Sequence, residues 1–457
     1  MLLSAILSVA GPIFWGIVTF SILVFVHEGG HFLAARACGV RVSEFFLGMP
    51  CSVNIHHVSR RIGTKFGITP LLLGGYAQIC GMEPVQSPHL AAVLGAVHRR
   101  GRASTGELAS ELHISEQEAL DACVELMGWG SLAPVYDVEA GERPGGAYYP
   151  TTYAAMPRDA AGATIYDGRG FNAAEATAEG EPWEPVLDDE AFLAQERSRT
   201  YAGQGFFKRA AMLVAGIAVN IVTGLLLLVI VYAVLGFDVA VDSNTIGSVT
   251  EGSAAESIGL VAGDTITMLD GEAVESWTDI IAIIGEAEPG QQIEVTYEHE
   301  GASVTAVAVL DEDGLLGVGI SYVRYRAGLL QSLQLAVAYV AATAEAVVQL
   351  LIPSQTMEVL ENSTSIVGIS VMSAEYAAEG ASTYLAFVAL ISFSLAFMNL
   401  LPIPPLDGGK LLIEVVQAIL RREVPPKVQT GISYAGLALF GILFIYLLQN
   451  DIVTYLL

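Results

Sequence analysis

A chain of 457 residues that is 53% hydrophobic and only 15% charged lies outside the range of a soluble globular protein, in which about a quarter of residues are charged. Its formal net charge of −27 argues against nucleic acid and anionic surfaces as its main partners. Four scattered cysteines, Cys38, Cys51, Cys80 and Cys123, form no CxxC pair and no disulfide framework, and read as buried free thiols.

The first apolar stretch, residues 3–38, is longer than a signal-peptide core and lacks a small-residue cleavage site, which predicts a retained transmembrane helix. Within it stands VFVHEGGHFLAARACGVRV. His27 and His31 are four residues apart, hence on one helix face a single turn apart, where two imidazoles can share a zinc ion. Glu28 beside them is placed to take a proton from a metal-bound water. Three ionisable residues within five positions of an apolar span are costly unless they serve chemistry. Gly29 and Gly30 add about 1 kcal/mol each in lost helix propensity relative to Ala. Residues 1–83 therefore form a first unit, with a Gly-rich, strand-like stretch, FGITPLLLGGYAQI, after the helix.

Residues 84–205 read as an insertion. Within it, 88–135 contains three short helices and a Gly-bearing turn, an order that resembles a winged-helix module. The candidate recognition helix carries Glu116, Glu118, Asp121 and Glu125, so repulsion from phosphate argues against DNA and favours an unidentified protein partner. Residues 140–200, rich in Gly, Ala, Pro and acids, predict a flexible linker. A second span follows from about Ala210 to Phe237, within a 206–237 segment. Residues 240–325 alternate apolar and polar in strand fashion around GSAAESIGLVAGDTITMLDGEAV and resemble a PDZ domain, a fold that adds an extended peptide to a sheet edge. In the connector 326–382, the stretch Leu329–Ile352 is apolar but carries Gln331, Gln334, Glu345 and Gln349, as an interfacial helix would. Residues 383–457 hold a third span, about Tyr384–Leu401, and a fourth, about Ile432–Leu448.

The expected fold is thus an α-helical membrane protein of about four transmembrane helices, with an external β-rich PDZ domain and a cytoplasmic winged-helix-like insertion. Side assignment follows from counting bases: 15 Lys and Arg lie between Arg36 and Arg209, four between Lys410 and Lys427, and only Arg324 and Arg326 elsewhere. By the positive-inside rule the 39–209 loop is cytoplasmic, and the N-terminus and PDZ region are outside. The plasma (inner) membrane is the expected location.

A catalytic zinc takes three protein ligands and leaves a position for water. In SLAFMNLLPIPPLDGGKLL, Asp407 stands just past the cytoplasmic end of the third span, at the depth of His27 and His31. PLDGG is also good turn chemistry, and the two roles are compatible.

HEGGH in the first span, a late NLLPIPPLDGG and an external PDZ together resemble the site-2 protease family (M50), in its bacterial regulator of sigma-E protease branch. GVRVSEFFLG, LLLGGYAQICGME and FFKRAAMLVAGIAVN add to the likeness, while the 84–205 insertion and the single PDZ depart from it. The resemblance implies an intramembrane zinc metalloprotease that cuts transmembrane segments of single-pass membrane proteins within or beside the lipid bilayer, an anti-sigma factor among them. It implies His27, His31 and Asp407 as ligands of Zn2+ and Glu28 as general base. It further implies substrate contacts at Asn399, Pro402 and Pro404, and a membrane-dipping β-hairpin at Gly63–Gly81, including Gly74 and Gly75, that offers an edge to the unwound substrate. Asn220 in the second span is a further candidate polar contact. A non-catalytic receptor or adaptor built on PDZ and winged-helix modules is the alternative, and it would not require Asp407 to meet HEGGH.

Overall fold

The computed structural model describes residues 2–455 except 73, 83–86, 140, 145–148 and 362. It forms two compact units, Met1–Leu228 with Leu335–Leu457, and Val229–Gln334.

Apolar sequence with no strand-period alternation gives α1 (Leu2–Ala37), 36 residues long. The chain then turns into β1 (Val42–Leu47), β2 (Ile55–Val58), β3 (Lys65–Ile68) and β4 (Gly75–Ile79), a sheet of order β2-β3-β1-β4. The expected hairpin at 63–81 is corrected here: β1 lies between β3 and β4, parallel to the first and antiparallel to the second. Burial explains the order. Phe45 and Phe46 of β1 are buried, and Phe45 meets Phe25 and Phe32 of α1, whereas every residue of β2 is exposed. The strand with most apolar surface takes an inner position, and β2 and β4 are left as the two edges.

Residues 87–205 fold densely. They hold α2 (Leu90–Arg100), β5 (Arg102–Ser104), α3 (Thr105–Leu112), α4 (Glu116–Gly128), β6 (Leu132–Val135), β7 (Thr152–Ala155) and α5 (Asp189–Arg197). Ser104 with Glu107, and Ser115 with Glu118, form capping boxes that start α3 and α4. The sheet order is β5-β7-β6.

This corrects the flexible linker expected at 140–200. Its described part supplies the central strand β7, and Tyr153 and Phe192 enter the core with Leu94, Leu126 and Trp129. Its charges are also internal. Arg158 donates to Glu196 (2.9 Å twice), to His98 Nε2 (2.9 Å) and to the Gly162 carbonyl (2.8 Å). Arg41, just after α1, donates to Asp167 (2.8 and 2.9 Å) and to Glu196 (2.7 Å). Arg41, Arg158 and Glu196 are fully buried. Composition counts such charges as solvated, but paired in this way they can stay inside.

Helix α6 (Phe206–Ile230) follows and ends in a π-helical turn, Val231–Leu235. The second unit contains β8 (Phe237–Ala240), β9 (Ile246–Val249), α7 (Ala254–Ser257), β10 (Thr265–Leu269), β11 (Glu272–Ala273), α8 (Trp277–Glu286), β12 (Gln292–His299), β13 (Ala302–Val309), β14 (Val318–Ile320) and β15 (Tyr322–Tyr325). Its main sheet has order β11-β10-β12-β13. Asp270-Gly271 and Glu300-Gly301 make its two-residue turns, all four with positive φ, as a type I′ hairpin requires. Ile266, Leu269, Ile293, Val295 and Ile280 fill its core.

The chain continues through α9 (Leu329–Gln349), α10 (Thr356–Glu361), α11 (Ile366–Glu379), α12 (Ala381–Leu400), α13 (Asp407–Leu420) and α14 (Pro426–Tyr455). Among the described residues, five helices, one more than the spans expected, are long and apolar enough to cross a membrane: α1, α6 with its π turn, α9, α12 and α14. The difference is α9. It is 21 residues long with a mean hydropathy of 1.2, the lowest of the five, because Gln331, Gln334, Glu345 and Gln349 interrupt it.

Candidate metal centre

His27 and His31 project from the last third of α1, and both are buried. Asp407 is the first residue of α13, just after the proline-rich turn that ends α12. Asp407 Oδ2 lies 3.1 Å from His27 Nε2 and 3.0 Å from His31 Nε2, and the two Nε2 atoms are 3.2 Å apart. A tetrahedral zinc ion with bonds of about 2.0–2.1 Å holds its ligand atoms about 3.3 Å from one another. Three converging donor atoms at almost that spacing fit the ion.

The surroundings fix which nitrogen faces the centre. His31 Nδ1–H donates to the Met212 carbonyl of α6 at 2.8 Å, leaving the Nε2 lone pair free to bind metal. The side-chain amide of buried Asn220, also on α6, lies 3.3 Å from His27 Nδ1. With the amide oxygen turned to this nitrogen, His27 donates and its Nε2 is likewise free; that orientation also gives the otherwise unpartnered Asn220 oxygen a hydrogen. Ser392 of α12 donates to the Asn220 carbonyl at 2.9 Å, tying α6 to the helix that leads to Asp407.

Glycine makes these approaches possible. A Cβ at Gly216 would strike His31 Nε2 and lie 2.9 Å from His27 Cε1; one at Gly30 would lie 2.6 Å from the Ala215 carbonyl oxygen. Gly30 and Gly216 thus let α1 and α6 touch beside the imidazoles, whereas Gly29 has nothing within 4 Å. Gly408 and Gly409 likewise allow the start of α13 to lie against residues 400–404.

Glu28 Oε2 accepts the Ala77 N–H of β4 at 3.0 Å, so the free edge of the sheet ends at the glutamate beside the donor atoms. Gly75 belongs to the same edge, and a Cβ there would lie 3.7 Å from Glu28 Cγ. Gly74 faces Met49 instead. Asn399 donates to the Leu395 carbonyl of its own helix at 3.0 Å, Pro402 is exposed, and Pro404 is buried against Gly409 and Gly436. The structure therefore brings Glu28, His27, His31, Asp407, Asn220 and Gly75 together, and leaves Asn399 and Pro402 out of the hydrogen-bonded cluster. Gly216 and the Met212 carbonyl were not anticipated. The first had a weak signal, a glycine four residues before Asn220; the second had none, since every residue carries a carbonyl.

Two buried histidines on a helix fit to cross a membrane and a half-buried carboxylate at the start of α13, with a glutamate beside them, form the donor set of a membrane metallohydrolase. The chain belongs to peptidase family M50, matched over residues 15–443. It is similar to the zinc metalloprotease RasP of Geobacillus kaustophilus, with 30% identity over 96% of this chain and 97% of that one. It is also similar to the regulator of sigma-W protease RasP of Bacillus subtilis (25%, covering 95% and 97%) and to a putative zinc metalloprotease of Vibrio cholerae (26%, covering 96% and 98%). Part of it resembles the solved PDZ domain of the SdrC-like protein Lmo2051 of Listeria monocytogenes, at 28% identity over 18% of this chain and 93% of that one, with a TM-score of 0.16. The protein is a multi-pass, intramembrane zinc metalloendopeptidase of the site-2 protease type, acting in regulated intramembrane proteolysis on membrane-protein substrates. The non-catalytic receptor is not favoured.

Proposed function

We propose that His27, His31 and Asp407 hold the zinc ion and that Glu28 is the general base for peptide hydrolysis in a transmembrane segment. The convergence of three donor atoms within 3.2 Å, next to Glu28, carries this assignment. When bound, the ion supplies an acidified water and polarises the scissile carbonyl. Glu28 takes the water proton and returns it to the departing amine. The Ala77 N–H orients its carboxylate. Peptide bonds of a transmembrane helix are shielded by their own hydrogen bonds, and in lipid an unpaired backbone group costs several kcal/mol. The edge of β4 offers main-chain partners to a segment that has unwound, and Gly75 lets β4 lie against Val24 of α1, close to Glu28. Asn399, Pro402 and Pro404 stand in the segment that leads from α12 to Asp407, and substrate contacts there are part of this reading.

Single-pass membrane proteins are the substrates of this reading. One relative is called a regulator of sigma-W protease, which points to a membrane-anchored anti-sigma factor. The base count supports a plasma-membrane orientation with residues 39–209 inside, and the N-terminus and the PDZ-like 240–325 region outside. Four crossings suit the site better than five. Between α9 and α12 the longest helix has 14 residues, about 21 Å, too short for a core of about 30 Å. A crossing by α9 would then deliver Asp407 to the wrong face, so α9 lies along the lipid surface. The helix–strand–helix–helix–strand–strand order of α2 to β7 supports a winged-helix module. Its α3 and α4 carry acids and no Lys or Arg, which suits a protein partner rather than nucleic acid.

The test is Glu28→Gln in the full chain, reconstituted with a single-pass substrate. Zinc content should stay as in the parent and turnover fall by about 10²–10⁴-fold. Undiminished cleavage by this variant would overturn the assignment.

A further inference from the structure

The two halves of the zinc site come from distant parts of the chain. His27, Glu28 and His31 belong to α1, which the β1–β4 sheet abuts; Asp407 starts α13. Along α13, Asp407, Leu411 and Glu414 are spaced i, i+4 and i+7, one stripe on one face. Asp407 meets the imidazoles, and Leu411 packs against the cluster of Tyr201, Met212, Leu213 and Val42. The buried Glu414 accepts the Tyr201 hydroxyl at 3.0 Å and lies 3.1 Å from Arg209 Nη2 at the start of α6.

Tyr201 is in turn fixed to the other half. Its N–H donates to the Cys80 carbonyl at 2.8 Å, and Cys80 N–H donates to the Arg41 carbonyl at 3.0 Å. Arg41 N–H donates to Arg199 at 3.0 Å, and Ala202 N–H to Gly81 at 3.2 Å. Residues 199–202 therefore run beside the chain just past β4, the strand whose edge holds Glu28. Burial and the Glu414 carboxylate push the Tyr201 phenol up, which keeps it a proton donor. A buried carboxylate persists only when such partners hold it.

We infer that Tyr201 and Glu414, with Arg209 as counter-cation, are positioning residues that lock the Asp407 helix to the histidine half of the zinc site. This rests on the zinc assignment above. No other ion pair among the described residues joins α13 to α6.

The experiment measures zinc affinity by competition with a chromophoric chelator, using the purified full chain with Tyr201→Phe, with Glu414→Gln and with both. Asp407→Ala is the control, and the thermal midpoint of each zinc-free protein is recorded alongside. Expected for Tyr201→Phe is about a tenfold weaker zinc affinity, an outer-shell effect. Its zinc-free midpoint should stay that of the parent, its kcat should recover in excess zinc, and the double variant should be no weaker than the worse single one. Glu414→Gln keeps the volume and an acceptor, so it tests the lock without Arg209's charge partner and decides the matter should Tyr201→Phe fail to fold. Parental zinc affinity in both single variants, with Asp407→Ala unable to bind, overturns the lock and spares the metal assignment. Lower midpoints with losses that zinc cannot restore also overturn it. Parental affinity in Asp407→Ala overturns the metal assignment itself.

Discussion

A methyl group at position 216 is the smallest change that should reach the metal, because glycine there is what lets α6 lie against both imidazoles. Gly216→Ala should weaken zinc binding by about 10–100-fold, as displaced ligand supports do, and lower turnover with it; zinc titration and cleavage rates check this. The histidines were legible because a four-residue spacing has one geometric meaning on a helix. Gly216 was not, since a glycine in an apolar helix is compatible with many neighbours. Asn220 lay between these cases: a buried amide in a span demands a partner, but the sequence does not say that the partner is His27 Nδ1.

Among elements, the 87–205 segment is governed by its internal charges. Removing the charge of Glu196 leaves Arg41 and Arg158 facing each other while buried, so Glu196→Gln should cost about 3–5 kcal/mol, read as a lower unfolding midpoint of this segment in the full chain. His98 gives the pH dependence. Its Nδ1–H donates to the Leu94 carbonyl and its Nε2 accepts from Arg158; burial, with the Arg158 cation beside it, pushes the imidazole down to about 3. The unfolded chain takes up the proton near 6.5 and the folded one does not. Stability should therefore fall as pH drops from about 6.5 toward 3, by about 1.4 kcal/mol per pH unit, and His98→Gln should flatten that slope in acid-unfolding curves. Helix starts at Ser104 and Ser115 could be read from the sequence. Strand β7 could not, because four residues in a Gly- and Pro-rich stretch become a strand only when β5 and β6 flank them.

For the whole molecule, we propose that the chemistry stays among the spans while the 240–325 region, whose sequence resembles a peptide-binding PDZ domain, admits substrates already trimmed outside the membrane. Deleting residues 245–310 should leave cleavage of an already trimmed substrate intact and allow cleavage of an untrimmed one, which a reconstituted assay with both substrates measures. Abolished turnover of the trimmed substrate would remove the selecting role. Removing zinc with a chelator should silence both reactions, and adding the ion back should restore them.

Hydrophobic length, base distribution and the HEGGH spacing determined by themselves a membrane protein with a zinc-binding helix, since lipid thickness and metal-ligand geometry impose the same local patterns on any chain. That it is a protease came from the resemblance of its paired motifs to a family. Tertiary structure alone decided which strand fills the sheet centre, how the acid-rich segment folds and what braces Asp407. Those features arise from partners tens to hundreds of residues apart, and a contact at that distance leaves no periodicity to read.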